Sequence, residues 1–292
     1  MRGRSGTKPI AGGDGWKIGG QADVRPPPVL VYHRVSRHPL LAGTWVTPAG
    51  LGRQLDILAR EGLRALDADA WLALAGGGPG AATVDAVPGY LVTFDDGTDD
   101  LWHHREVLDA RGVRPVVFVP AGLLGRRNAW EWRLPGRGAA HLSAARLRTL
   151  ADAGWEIGLH GTTHRDLTRL ADRALAEELA GGIARLADAT GRPVRLLSYP
   201  FGQVDARVAA RAEAAGIVRA FVVARAPREV PGHLAHRRRP VYCIDTPASV
   251  LVKLRDPDGR TLPGRWERWK EAGAHGVGRW TAGRRPQGDE GP

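Results

Sequence analysis

Short apolar runs rich in β-branched residues recur along this chain, and between them apolar positions return every three or four residues. The first pattern reads as buried strands and the second as amphipathic helices. Strands are predicted at Val29–Tyr32, Tyr90–Phe94, Pro115–Val119, Trp155–Leu159, Arg195–Tyr199, Arg219–Val223 and Pro240–Ile244. A helix is predicted from Pro48, capped by Thr47, with Leu51, Leu55 and Leu58 on one face. Further helices are predicted over Asp67–Leu74, Asp100–Arg111 (stopped at Gly112), Ala144–Ala153 (capped by Ser143), Asp172–Ala189, Asp205–Ala215 and Thr246–Leu254. Residues 76–89 read as a Gly/Pro/Ala connector and 121–142 as a long loop. Strands alternating with helices of this length predict βαβ units and a parallel sheet or barrel. No internal repeat interrupts the alternation.

Composition narrows the picture. A chain of 292 residues suits one α/β barrel domain with flanking segments. The single cysteine, Cys243, excludes an intrachain disulfide and a thiolate metal cluster. The formal net charge of +11 comes largely from scattered arginines, without a basic block interleaved with aromatics, so no nucleic-acid partner is expected. Residues 1–27 are basic at the start but lack an apolar run, and nothing downstream has the length of a membrane span. They are expected to lack structure, and the chain is expected to be cytoplasmic.

The chemistry gathers where strands end. Tyr90–Phe94 runs into two adjacent carboxylates, Asp95 and Asp96, followed by Gly97; His33 ends the first strand; Trp155–Leu159 delivers His160-Gly161-Thr162-Thr163-His164; and Arg195–Tyr199 ends in Pro200-Phe201-Gly202. In a parallel α/β fold the carboxyl ends of strands share one rim, where ligands bind. Two histidines four apart share one side of a helical turn, and with a carboxylate they form a ligand set for catalytic zinc or a related divalent ion. One Asp of the pair can complete that set and leave the other as general base. The plain structural alternative is a helix cap built from Asp-Gly turn chemistry, with histidines bonded to backbone.

Taken together, Thr93-Phe94-Asp95-Asp96-Gly97, His160-Gly161-Thr162-Thr163-His164 and Ser198-Tyr199-Pro200-Phe201-Gly202 resemble the polysaccharide deacetylase family, the NodB-type carbohydrate esterases, over roughly residues 28 to 245. The resemblance implies a distorted (β/α) barrel of about seven parallel strands that hydrolyses N-acetyl groups from an amino sugar, glycoside or glycoconjugate. It implies Asp95 as general base and Asp96, His160 and His164 as ligands of a divalent metal ion, Zn2+ foremost, with Co2+, Ni2+ or Mn2+ as substitutes. Tyr199, Pro200 and Phe201 then line the substrate, with the Phe201 backbone N–H offered to the oxyanion.

Two positions depart from the family pattern. Ser198 stands where many members have an arginine that orients the catalytic acid, which makes Arg237, Arg238 or Arg239 the candidate source of the missing guanidinium, with Arg238 and Arg239 foremost. No late Leu-x-His segment is present; Leu30-Val31-Tyr32-His33 instead resembles the permuted branch of poly-N-acetylglucosamine deacetylases, with His33 as general acid. The catalytic domain is expected over 28–255, and 256–292 as a mobile Arg/Gly/Trp tail. Within that tail Trp266 and Trp269 read as docked on the barrel sooner than as stacked on a sugar. The rival reading is a non-catalytic carbohydrate-binding or scaffolding protein on the same fold. The absence of a signal-like run favours an intracellular glycoside or glycoconjugate over a wall polymer.

Overall fold

The apolar runs become strands and the periodic stretches become helices over residues 26–38, 40, 43–76, 88–127, 140–256, 258 and 260–270, which the computed structural model describes. The strands are β1 Val29–Tyr32, β2 Arg34–Val35, β3 Trp45–Val46, β4 Arg64–Leu66, β5 Gly89–Phe94, β6 Val116–Val119, β7 Glu156–Leu159, β8 Leu196–Ser198, β9 Arg219–Val222, β10 His236–Arg237 and β11 Arg239–Pro240. The helices are α1 Pro48–Arg60, α2 Ala68–Ala75, α3 Asp100–His103, α4 Glu106–Asp109, α5 Ala144–Asp152, α6 Asp172–Ala176, α7 Gly182–Thr190, α8 Ala206–Ala214 and α9 Pro247–Arg255. The expectations for residues 1–25 and 271–292, and for most of the 76–89 connector, lie outside the described residues.

One parallel sheet of nine strands runs β10-β9-β8-β7-β6-β5-β1-β11, and β4 pairs with the start of β5. The two ends of this order, β10 and β11, are separated in sequence by one residue, Arg238. The sheet is therefore nearly closed into a barrel, and Arg238 sits at the seam. The two-residue strands at that seam, with β4, raise the count above the seven expected from apolar runs alone. The expected strand at Pro240–Ile244 is cut short: Val241 still donates its amide to the Val31 carbonyl at 2.9 Å, but the Tyr242 amide turns to the Asp245 carboxylate at 2.8 Å.

Alternation along the strands divides the core in two. Val29, Leu91, Val116, Phe118, Leu196 and Phe221 pack together inside the barrel with Trp71 of α2. The intervening residues, including Leu30, Val92, Phe94, Val117 and Leu197, pack outward against Leu51, Leu55 and Leu58 of α1 and the other helices. Thr47 caps α1 by accepting from the Gly50 amide at 2.9 Å, as predicted. The helix expected over Asp100–Arg111 is broken into α3 and α4, and Arg105 Nη1 takes the Trp102 carbonyl at 2.8 Å where a helical amide would bond.

The end of the chain differs from the expected tail. Residues 262–270 are helical, and Lys270 bonds Asp245 at 3.0 Å and Glu267 at 2.8 Å. Fully buried Lys253 of α9 also bonds Asp245, at 2.5 Å, and these charges tie the helix to the barrel. Trp266 and Trp269 do not dock: they stack on each other, 5.0 Å between centroids, and are 58% and 67% exposed. Among the described residues no helix is long and apolar enough to cross a membrane.

His236 of β10 lies against the rings of Trp71 and Phe221, 5.1 and 5.8 Å away. Burial, then the charges of Arg219, Arg238 and Arg239, push its pKa down to about 4. Between pH 6.5 and about 4 the unfolded chain thus binds a proton that the fold refuses, so stability falls as pH drops through that window and is fully present above it. Urea unfolding at pH 7 and pH 4.5 should show a loss in the wild type that is smaller in His236→Gln; equal losses in both would remove this group as the cause.

Candidate active site

The ends of β1, β5, β7 and β8, with β6 between the two pairs, deliver the candidate residues. Leu91, Thr93 and Asp95 follow the same inward alternation, so Asp95 emerges at the top of the barrel interior. The register Tyr32↔Phe94 between β1 and β5 sets His33 beside Asp95, whose amide donates to the Tyr32 carbonyl at 2.9 Å. His33 is near enough that its charge lowers the pKa of both Asp95 and Asp96. β7 is followed by His160, whose amide bonds the Val119 carbonyl at 3.0 Å, and β8 ends at Ser198, whose carbonyl meets His160 Nδ1 at 2.7 Å.

Asp95 is held by Arg238. Nη1 and Nη2 bond its two carboxylate oxygens at 2.7 Å each, and both residues are buried. The same guanidinium donates to Thr93 Oγ1 at 3.1 Å and Ser198 Oγ at 2.7 Å, and the Ser198 hydroxyl donates to Asp95 at 3.1 Å. The rings of Phe118 and Phe221 face the guanidinium at 5.3 and 5.7 Å. Of the arginines considered from sequence, Arg238 is the one that bonds Asp95; Arg239, one residue on, lies on β11 in register with Leu30. At Ser198 the guanidinium arrives from the seam of the barrel and bonds the short hydroxyl side chain. Burial alone would raise the Asp95 pKa, but Arg238, His160 and His33 hold it down at about 2.

Asp96, His160 and His164 converge. One ligand atom from each lies within 4.8 Å of the others, and Asp96 Oδ1 is 3.5 Å from His160 Nε2 and 3.3 Å from His164 Nε2. The histidines do not share a helical turn. They belong to a loop in which Gly161 and His164 take positive φ, 71° and 59°, and that bend brings the rings to 4.8 Å between centroids. The donor set fits a divalent ion. With Nδ1 given to a carbonyl, His160 turns Nε2 inward, the outer-shell arrangement usual for metal-binding imidazoles. Burial lowers the His160 pKa, and the facing histidines, His164 foremost, outweigh burial to hold Asp96 well below the carboxylate range.

Tyr199 and Pro200 are buried beside the loop, and Phe201 adopts φ 59° with its ring 4.8 Å from that of His164. Three residues of the site escaped sequence reading. His141 brings Nδ1 to the Asp96 carbonyl at 2.7 Å. Thr93, read as part of a strand and of a motif but given no role, bonds Arg238. Glu178 reaches the His160–His164 loop; its signal was a carboxylate on the apolar stripe Leu175, Leu179, Leu186.

Removing one member of a buried ion pair leaves the other uncompensated, at a cost of about 3–5 kcal/mol. Arg238→Met should lower the unfolding free energy by about that amount, and adding Asp95→Asn should restore part of it. Strictly additive losses in the double variant, measured by urea unfolding, would show that the pair is not coupled.

The polysaccharide deacetylase family profile matches residues 87–220. No curated protein matches. The fold is shared with a polysaccharide deacetylase from Bacillus cereus, at 22% identity and TM-score 0.61, covering 77% of this chain and 68% of that one. It is shared with the deacetylase PplD of Streptococcus pyogenes, solved with acetate, at 17% identity and TM-score 0.65, covering 78% and 97%. It is also shared with IcaB from Ammonifex degensii, at 25% identity and TM-score 0.59, covering 78% and 94%. On the family match over residues 87–220 and this shared fold, the chain is an enzyme of the carbohydrate-deacetylating class.

Proposed function

We propose that the protein hydrolyses the N-acetyl group of an amino sugar or glycoconjugate, with Asp96, His160 and His164 holding a divalent ion, Zn2+ foremost. The observation that carries this reading is the buried convergence of those three side chains next to an arginine-clamped carboxylate. A divalent ion in such a set acidifies water to a pKa near 7 and polarises a carbonyl oxygen.

The chain's own groups then have distinct tasks. Asp95, ionised and fixed in orientation by Arg238, accepts the proton of the attacking water. Its low pKa makes it a weak base, so its effect comes from placement. Negative charge builds on the former carbonyl oxygen, where the Phe201 backbone N–H donates; one such donor is typically worth about 3 kcal/mol. His33, across β1 from Asp95, donates a proton to the departing sugar nitrogen, a contribution of about 10²–10⁴ in rate. The products are acetate and the free amine. The backbone at Phe201 and the buried Tyr199 and Pro200 shape the acyl side of the site.

Acetate release from a panel of N-acetylated sugars, with and without chelator, tests the reading. His160→Ala and His164→Ala should each lose tight binding of about one divalent ion per chain together with activity, whereas Asp95→Asn should keep the ion and lose at least ~10²-fold in kcat. Full metal retention in the double histidine variant, read by elemental analysis, would end the site assignment.

His33→Ala should lower kcat by about 10²–10⁴ with metal content and KM nearly unchanged, because the group acts only as the amine leaves. The loss should shrink on an activated acetyl ester, whose leaving group needs no proton. Equal impairment on amide and ester would assign His33 a structural role instead.

A further inference from the structure

The helix that follows the histidine loop changes pitch at Glu177–Gly181, where α6 passes into α7 through a turn of π-helix. Such turns expose carbonyls that an α-helix would bond internally, and they recur at functional sites. Here the exposed groups are used: the Thr162 hydroxyl donates to the carbonyls of Glu177 and Glu178 at 2.9 and 3.2 Å. In return the Glu178 carboxylate accepts from the amides of Thr162 and Thr163 at 2.7 and 3.0 Å, and from the Thr163 hydroxyl. Glu178 is 5% exposed, so these bonds replace water for a buried charge. Contacts on both sides leave no slack. A Cβ on Gly161 would stand 2.9 Å from Glu178 Oε2, and one on Gly182 would stand 2.8 Å from Thr162 Oγ1. From the other flank the amides of Ala121 and Gly122 bond the carbonyls of Gly161 and Thr162 at 2.9 and 2.8 Å.

We propose that Glu178 is a positioning residue for the metal centre: from the π-turn it fixes the Thr162–Thr163 backbone, and through it the spacing of His160 and His164. This rests on the metal reading above. The loop has no helix to set that spacing, and His164 sits in a left-handed conformation that an unsupported loop would leave. Glu178 supplies the restraint from outside the loop. Gln fits the same contacts, since one oxygen can accept both amides and the amide nitrogen can donate to the Thr163 hydroxyl. Asp keeps the charge but withdraws it by one methylene.

Zinc titration of the apo-protein by calorimetry, with thermal melts in parallel, tests the proposal. Glu178→Ala and Glu178→Asp should each weaken zinc binding about 10–100-fold, and Glu178→Gln should stay within about threefold of wild type. Leu186→Ala, a core truncation further along the same helix, should lower the melting temperature without changing zinc affinity. Zinc affinity in Glu178→Asp equal to wild type would overturn the proposal, as would equal weakening in Leu186→Ala. A wild type that takes up no ion would instead overturn the metal reading, and this inference with it.

Discussion

The ion pair between Arg238 and Asp95 sets the terms for the rest of the molecule. Moving either charge out of water costs several kcal/mol, and mutual attraction offsets that only with close geometry and further hydrogen bonds to both groups. Here the carboxylate and both terminal nitrogens of the guanidinium are bonded, by Asp95 and Thr93 on the β5 side, Ser198 on β8, and Arg238 at the seam between β10 and β11, while Arg238 Nε is left without a partner among the described residues. No local segment can assemble that set. Only a sheet curled until its first and last strands meet brings position 238 across from position 95, so barrel closure and orientation of the candidate base are one event.

Around this clamp the backbone is held in conformations it would not choose. Among the described residues, the non-glycine residues at positive φ are Asp96, His164 and Phe201, and all three lie in the site. Each such residue costs about 1–3 kcal/mol and persists only where its surroundings over-determine it. The bonds from His141 to the Asp96 carbonyl and from Glu178 to the histidine loop are such surroundings. Strain is concentrated where two ligands and the oxyanion donor are proposed to lie, which is how a site holds groups at angles that unstrained turns do not offer.

Much of this was legible in the sequence. Apolar runs ending in Asp95, His160 and Pro200-Phe201-Gly202 marked both the parallel sheet and its rim, because a strand buried on both faces gathers its charged and ligating residues at its end. What stayed illegible depends on distance in the chain. Three consecutive arginines, Arg237 to Arg239, look alike until alternation at the seam turns one of them inward. The i, i+4 spacing of His160 and His164 suggested a helical turn, yet a glycine and a left-handed histidine achieve the same approach in a loop. Residues 262–270 looked like tail because their anchors, Asp245 and Lys253, belong to earlier segments, and the exposed tryptophans hide the fact that Glu267 faces inward.

The seam has a consequence for biogenesis. β1 is the first strand of the sheet to be synthesised, but its second edge is covered only by β11, more than two hundred residues later. Until Arg239 and Pro240 arrive, Val29–Tyr32 presents a row of open backbone groups on a wholly apolar ribbon, the kind of edge that recruits foreign strands. Long-range parallel pairing is also slow to form. A nascent or truncated chain ending short of residue 240 therefore carries an adhesive edge at β1, and chaperone demand and inclusion-body formation should track the time taken to reach the seam.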